Sequence, residues 1–359
     1  MTDLLSAADE AAALEDLHSR NMTDGLPVII PTPERVSKMV LASGQDADMI
    51  LGTMGPGNGT ATLEKVAVAA VMAGCLPDYM PLVVAAIKAV IDPRFDLTEM
   101  QATTHCTAPL IIVNGPARHT CGPVSSSYGA LGPGNRANAS IGRALRLAMI
   151  NIGGGRPGSS DMALLGHPGK FTYCLAENEE ASPFPPMHVD LGFDSEDSVV
   201  TVIGAEAPHS VLFSGDGDDP NQYKLLLEVL AIGLANAATN NAMLTGGMAT
   251  LVLNPEHASV LHKAGLSRQD IATELYERCK LDGAEANRLC AGFARNSLNP
   301  RQAFTGPDQI LILMSGGSGL YSMVMPSWSA GANKNSAVSV KVEAELYCEI
   351  PALENGQIS

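Results

Sequence analysis

The sequence predicts a layered α/β fold. Short apolar runs alternate with longer Ala- and Gly-rich stretches of helical spacing, and Gly/Pro turns stand where one gives way to the other. The chain has 359 residues, 46% hydrophobic and only 17% charged. That length suits two domains or one large layered one, and the low charge excludes a disordered or coiled-coil chain.

Taken in order, 1–20 is acidic and reads as an amphipathic helix or a frayed end. Leu26–Pro31 is an extended or strand-like entry. Thr32-Pro33-Glu34 then supplies an N-cap, a proline at the first helical position and an early acid, opening a helix to about Leu41. Val66–Ala73 and Leu82–Ile91 form two buried helices. The prolines and acid at Pro77, Asp78 and Pro81 between them rule out one membrane span. Pro109–Asn114 is a buried strand, Ala137–Ile152 a helix, Ser198–Ala205 a buried strand and Asn221–Ala242 one long helix. Thr250–Asn254 is a strand, and Ser267 to Asp270 is a capping box opening a helix through Lys280. Gln309–Met314 is a buried strand, and Val338–Glu345 alternates as a half-exposed one. The turn-rich, acidic Gly215–Pro220 places a boundary between an N-terminal α/β domain, 1–214, and a C-terminal one, 221–359. The repeated Gly-Pro-Gly-Asn at 55–58 and 132–135 fits either two related halves or two unrelated turns.

With 22 Lys+Arg against 38 Asp+Glu, the net charge is -16, which argues against nucleic acid and anionic membranes as partners. Seven widely spaced cysteines without a secretory signal point to reduced thiols in a cytoplasm. The 16 methionines and small-residue helices suit subunit packing in a homo-oligomer.

Chemistry is expected in several places. Asn135, Arg136 and Arg143 at the start of one helix form a candidate cradle for a carboxylate, in a pattern that matches no nucleotide motif. Ser315, Gly316, Gly317 and Ser318 follow a buried strand, where backbone amides can hold an anion. Glu177 and Glu179 would share one strand face, with His188 as their acid/base partner. Cys75, near a helix start, is a candidate reactive thiol; Glu64 and Lys65 are a candidate base and charge partner. His105, Cys106, His119 and Cys121 flank one strand and turn and would bind zinc or iron if a hairpin joined them. Each feature also has a plainer reading, as a capped helix, a tight turn, a packed thiol or an acidic loop.

The segments Gly25–Thr32, Ala61–Lys65, Met72–Cys75 with Pro77 to Pro81, Leu131–Arg146 and Ala176–Glu180 together resemble a bacterial family associated with UGSC-type (seleno)proteins. The resemblance spans most of the chain and supplies no residue roles. It implies a redox (seleno)protein partner that brings the thiol or selenol, since the chain lacks a Cys-Gly-Ser-Cys motif. The leading expectation is a lyase or hydratase acting on a small carboxylate by acid/base chemistry. The alternatives are a thiol-dependent enzyme and a non-catalytic small-molecule-binding subunit.

Overall fold

The computed structural model describes residues 4–295 and 297–343. The strands are β1 (Ile50–Met54), β2 (Gly59–Thr62), β3 (Ala108–Asn114), β4 (Cys174–Ala176), β5 (Val199–Ala205), β6 (His209–Leu212), β7 (Ala249–Leu253), β8 (Lys280–Leu281), β9 (Arg301–Gln302), β10 (Ile310–Met314), β11 (Tyr321–Met325) and β12 (Val338–Lys341). Eight of them form two four-stranded sheets, ordered β12-β5-β3-β4 and β10-β7-β11-β6.

Alternation along the strands explains how these sheets stack. Leu110 and Ile112 of β3, Leu175 of β4 and Ile203 of β5 point one way. There they share a core with Val252, Leu311, Leu313 and Met325 of the other sheet. The intervening residues Ile111, Val113, Val200 and Val202 face the helices Leu63–Ala73, Met80–Ile91 and Arg136–Asn151. On the far side, Leu251, Leu253, Ile310 and Ile312 face the helices Gln222–Leu234, Pro255–Lys263 and Arg268–Arg278. The result is a helix–sheet–sheet–helix stack. Strands buried on both faces read as continuous apolar runs, which is why β3, β5, β7 and β10 stand out in the sequence.

The two sheets have the same wiring. β3 pairs in parallel with β4 and antiparallel with β5, which pairs antiparallel with β12. Likewise β7 pairs in parallel with β10 and antiparallel with β11, which pairs antiparallel with β6. Each half thus runs strand, helices, parallel strand, antiparallel strand, and its fourth strand crosses to the other sheet. β6 follows β5 but completes the second sheet, and β12 follows β11 but completes the first. A single cut near Gly215–Pro220 therefore does not separate two self-contained sheets. By register Asn114 of the first half is equivalent to Asn254 of the second, and Glu177 to Ser315.

Several local expectations need correction. The Gly-Pro-Gly-Asn repeat is not the trace of this duplication. The 55–58 copy is the turn of the β1–β2 hairpin, whereas the 132–135 copy leads into a helix. The long helix from Asn221 ends at Leu234, because Asn236 turns the chain through a hydrogen bond from Ala238 and Asn241 caps the Leu234 carbonyl. Leu26–Pro31 is extended without being a strand. The last strand ends at Lys341, and the 344–345 part of its expected range lies outside the described residues. Among the described residues no helix is long and apolar enough to cross a membrane.

Asn335 joins the sheets where the chain crosses between them. Its amide nitrogen reaches the carbonyls of Gly204 (2.7 Å) and Met248 (2.8 Å) and the Ser327 hydroxyl (2.8 Å), while its oxygen accepts from Gly204 N–H at 3.0 Å. It is buried and holds a left-handed φ of 59°. Asn335→Ala should lower unfolding free energy by about 3–5 kcal/mol, through buried groups left unpaired and a left-handed alanine. Urea titration measures this, and a loss within experimental error would remove Asn335 as a cross-sheet tie.

Candidate functional site

Two polar clusters sit at opposite ends of the first sheet. At the carboxyl ends of β3 and β4, Glu177 is completely buried. It accepts from Asn114 Nδ2 (2.5 Å), Met187 N–H (2.7 Å) and Arg268 (3.0 Å). Burial raises its carboxyl above the usual range, opposed by the Arg268 charge. Glu179 accepts from Asn114 Nδ2 (2.9 Å), Gly115 N–H (2.8 Å) and Arg118 (2.9 Å). Gly115 holds φ +77° against the Asp197 carbonyl, leaving no room for a Cβ, and so delivers its N–H to Glu179. His188 is also buried, with Nδ1 4.0 Å from Glu179 and neither ring nitrogen hydrogen-bonded.

The expected trio of Glu177, Glu179 and His188 does come together, with the two glutamates on one side. However, each carboxylate is met by three donors, and Arg268 reaches Glu177 from the second half of the chain. The cluster has the geometry of a brace between the halves. Arg118, which sequence reasoning missed, is buried under Glu179 and Glu180.

The second cluster lies at the amino ends of β3 and β4 and the carboxyl end of β5. His105 and Cys106 lead into β3, His167 and Lys170 precede β4, and Glu206 follows β5. His105 Nε2 lies 2.7 Å from Glu206 Oε1, and both side chains are largely but not wholly buried. Ligand atoms of His105, Cys106 and Glu206 all lie within 4.8 Å of one another. Tyr173 holds the turn by donating to the Glu206 carbonyl at 2.8 Å, and its ring packs edge-on against His167. Burial raises the Cys106 thiol and the nearby Glu206 charge adds to this; burial lowers Lys170, opposed by its hydrogen bond to Asp161. Lys170 contacts Asp161 at 2.9 Å, and buried Arg146 shares the same carboxylate at 3.5 Å. Two cations thus share one anion. Glu206, His167 and Lys170 carried no sequence signal, because only strand pairing brings 105, 167–170 and 206 together.

The remaining candidates are committed elsewhere. The Arg143 guanidinium grips Asp24 with two hydrogen bonds (2.7 and 2.8 Å) and also donates to the Pro27 carbonyl. Arg136 donates to the Gly74 carbonyl, and Asn135 to that of Gly129 instead of capping its helix. The carboxylate cradle expected there is therefore not formed. Ser315 donates toward the carbonyls of Ser126 and Ala176, the Gly316 N–H is taken by Ser126, and the Tyr128 ring covers Gly317. Only Ser318 of that turn is exposed, so the second anion cradle is closed as well. Cys75 is buried and its thiol is pushed up to about 12, so burial outweighs the helix-start effect expected there. Lys65 donates to the Thr60 carbonyl at 2.9 Å. Glu64 lines an apolar cleft of about 750 Å³ whose other walls include Leu17, Val36, Val40 and Met72. His119 and buried Cys121 lie past the far end of β3, about 20 Å along the strand from His105 and Cys106, so no hairpin unites the four.

No protein-family model, curated protein or solved structure matches the chain.

Two outcomes test the brace. Arg268→Met should cost about 3–5 kcal/mol, because Glu177 is left buried and unpaired. Adding Glu177→Gln should reveal a coupling of about 1–3 kcal/mol in a double-mutant cycle; additive losses would show that the pair is not a unit. Glu180 is pulled down to about 2, chiefly by its hydrogen bond to Arg118. Its stabilisation is present above the ordinary carboxylate range and lost as pH falls through about 2, and it is small because the group is largely exposed. Carboxyl NMR titration should place the Glu180 inflection near 2.

Proposed function

We propose that the chain is a lyase- or hydratase-type enzyme acting on a small carboxylate-bearing molecule, with its chemistry at the amino ends of β3 and β4. The observation that carries this reading is the largely buried His105–Glu206 pair, 2.7 Å apart, with Lys170 near the adjoining Cys106. A carboxylate orients the imidazole, and the imidazole moves a proton at the substrate. Lys170 and Arg146 share Asp161, so that one carboxylate satisfies neither cation fully and Lys170 can turn to a substrate carboxylate.

The reaction class is that expected from the sequence, but the residues are different. Glu177 and Glu179 are saturated by donors, and an anion approaching them meets Glu180 and Asp190 as well. Thiol chemistry has less behind it. Burial pushes Cys75 and Cys279 up to about 12 and raises Cys174 and Cys106, so the reactive thiolate is disfavoured.

A panel of hydroxy, unsaturated and dicarboxylic acids, followed by ultraviolet absorbance of the carbon–carbon double bond, tests the proposal. On the substrate that turns over, Lys170→Met should raise KM roughly 10–1,000-fold, as expected for a lost charge-assisted contact. His105→Gln should lower kcat about 100- to 10,000-fold. An unchanged KM in the first variant together with an unchanged kcat in the second would end this reading.

A further inference from the structure

We infer that His105, Cys106 and Glu206 form a binding site for a single zinc-type divalent cation. The inference rests on the proposed function only in sharing its location. The three ligand atoms lie within 4.8 Å of one another, and the described residues contain no other such group of three. A tetrahedral zinc ion needs nitrogen, sulfur and oxygen ligands about 3.5 Å apart, so small side-chain rotations suffice. An imidazole, a thiolate and a carboxylate suit zinc and exclude magnesium or calcium, which take all-oxygen shells.

Two further observations point to a ligand. His105 Nδ1 is buried without a hydrogen-bond partner, while its other nitrogen meets Glu206. The protein therefore leaves the ring incompletely satisfied, and an ion seated between Nε2 and Glu206 takes the place of their shared proton while Nδ1 keeps the ring's own. The second half of the chain supplies an internal control. By strand register the positions of His105, Cys106 and Glu206 correspond there to Thr245, Gly246 and buried Trp328. The shared fold therefore does not require ligating side chains at this place; only one half carries them.

Charge is consistent with the assignment. A thiolate and a carboxylate together offset the two positive charges of the ion, and Lys170 is held by Asp161 at 2.9 Å. Three protein ligands leave a fourth position for water or substrate, the arrangement of a catalytic rather than a closed structural site. With the ion in place, the proton shared by His105 and Glu206 is displaced. His105, Cys106 and Glu206 would hold the ion, which would supply Lewis-acid activation of a water at the open position.

The test uses the full chain, stripped with a chelator and titrated with zinc, magnesium and cobalt(II). The expected result is one zinc per chain, no competition from magnesium, and a thiolate-to-cobalt charge-transfer band. Cys106→Ser should abolish that band, and His105→Ala and Glu206→Gln should each weaken zinc binding at least 100-fold. Saturating zinc should raise the Tm of the wild-type chain but not that of the variants, which also establishes that the variants fold. His119→Ala should bind zinc as the wild type does. Zinc below stoichiometry, or zinc and the cobalt band undiminished in Cys106→Ser, would overturn the site. Carboxylate turnover by a chain that takes up no zinc overturns this inference and leaves the proposed function standing. Stoichiometric zinc on a chain inert towards the carboxylate panel does the reverse.

Discussion

The layer of side chains between the two sheets is the constraint on which the rest depends. Leu110, Ile112 and Ile203 from one sheet interlock with Val252, Leu311 and Leu313 from the other, all buried. Burying both faces of both sheets at about 25 cal/mol per Å² of apolar surface supplies the main driving force for folding. It also fixes register, because a slip of one residue would turn Leu110 and Ile112 out of this layer and Ile111 into it. Polar groups are thereby pushed to the strand ends, where both charged clusters lie. The exchange of β6 and β12 secures the layer further, since neither sheet is complete without a strand from the other half.

The duplicated wiring shows how one scaffold has been used in two ways. Asn254 caps the helix that follows β7 by accepting from His257 N–H. Its counterpart Asn114 donates instead to Glu177 and Glu179. Where the first half has Glu177 after β4, the second has Ser315 after β10, and the two strand ends are tied directly: Asn178 N–H donates to the Met314 carbonyl and Ser315 Oγ to that of Ala176. At the opposite end Glu206 is matched by Trp328. The charged chemistry is concentrated in the first half, and the second fills the equivalent positions with caps, glycine and an aromatic side chain.

Much of the fold was legible in the sequence. Apolar runs marked β3, β5, β7 and β10, and the caps at Thr32 and Ser267 marked helix starts that the structure contains. The strands that escaped notice are short or part exposed: β4 has three residues, and β6 buries one position in four. Two related halves were one of the two readings of the Gly-Pro-Gly-Asn echo, but that echo pointed to the wrong segments, because the duplication resides in pairing order. Among site residues, Glu177, Glu179 and His188 could be grouped because eleven positions separate the first from the last along one loop. Arg143 was misread because its partner Asp24 lies 119 residues away and nothing local announces the pair. Glu206 was invisible for the same reason, 101 residues from His105.

In open α/β sheets ligands gather outside the carboxyl ends of the strands, and that rule drew attention to the Ser315 turn. Stacking the sheets changes the situation. The carboxyl ends of β4 and β10 meet and bond to each other, so the space a ligand would occupy is filled by protein: Arg268 on Glu177, Tyr128 over Gly317 and Ser126 on Gly316. At the amino ends of β3 and β4 the chain enters from separate directions at 105, 170 and 206, leaving side chains that converge without saturating one another. In the brace the two carboxylates are fully matched and only His188 has idle nitrogens, whereas a site needs its charged groups held in place with some capacity unspent. The idle nitrogen of His105 and the two cations sharing Asp161 are that unspent capacity, and they lie at the end of the sheet that the usual rule would have passed over.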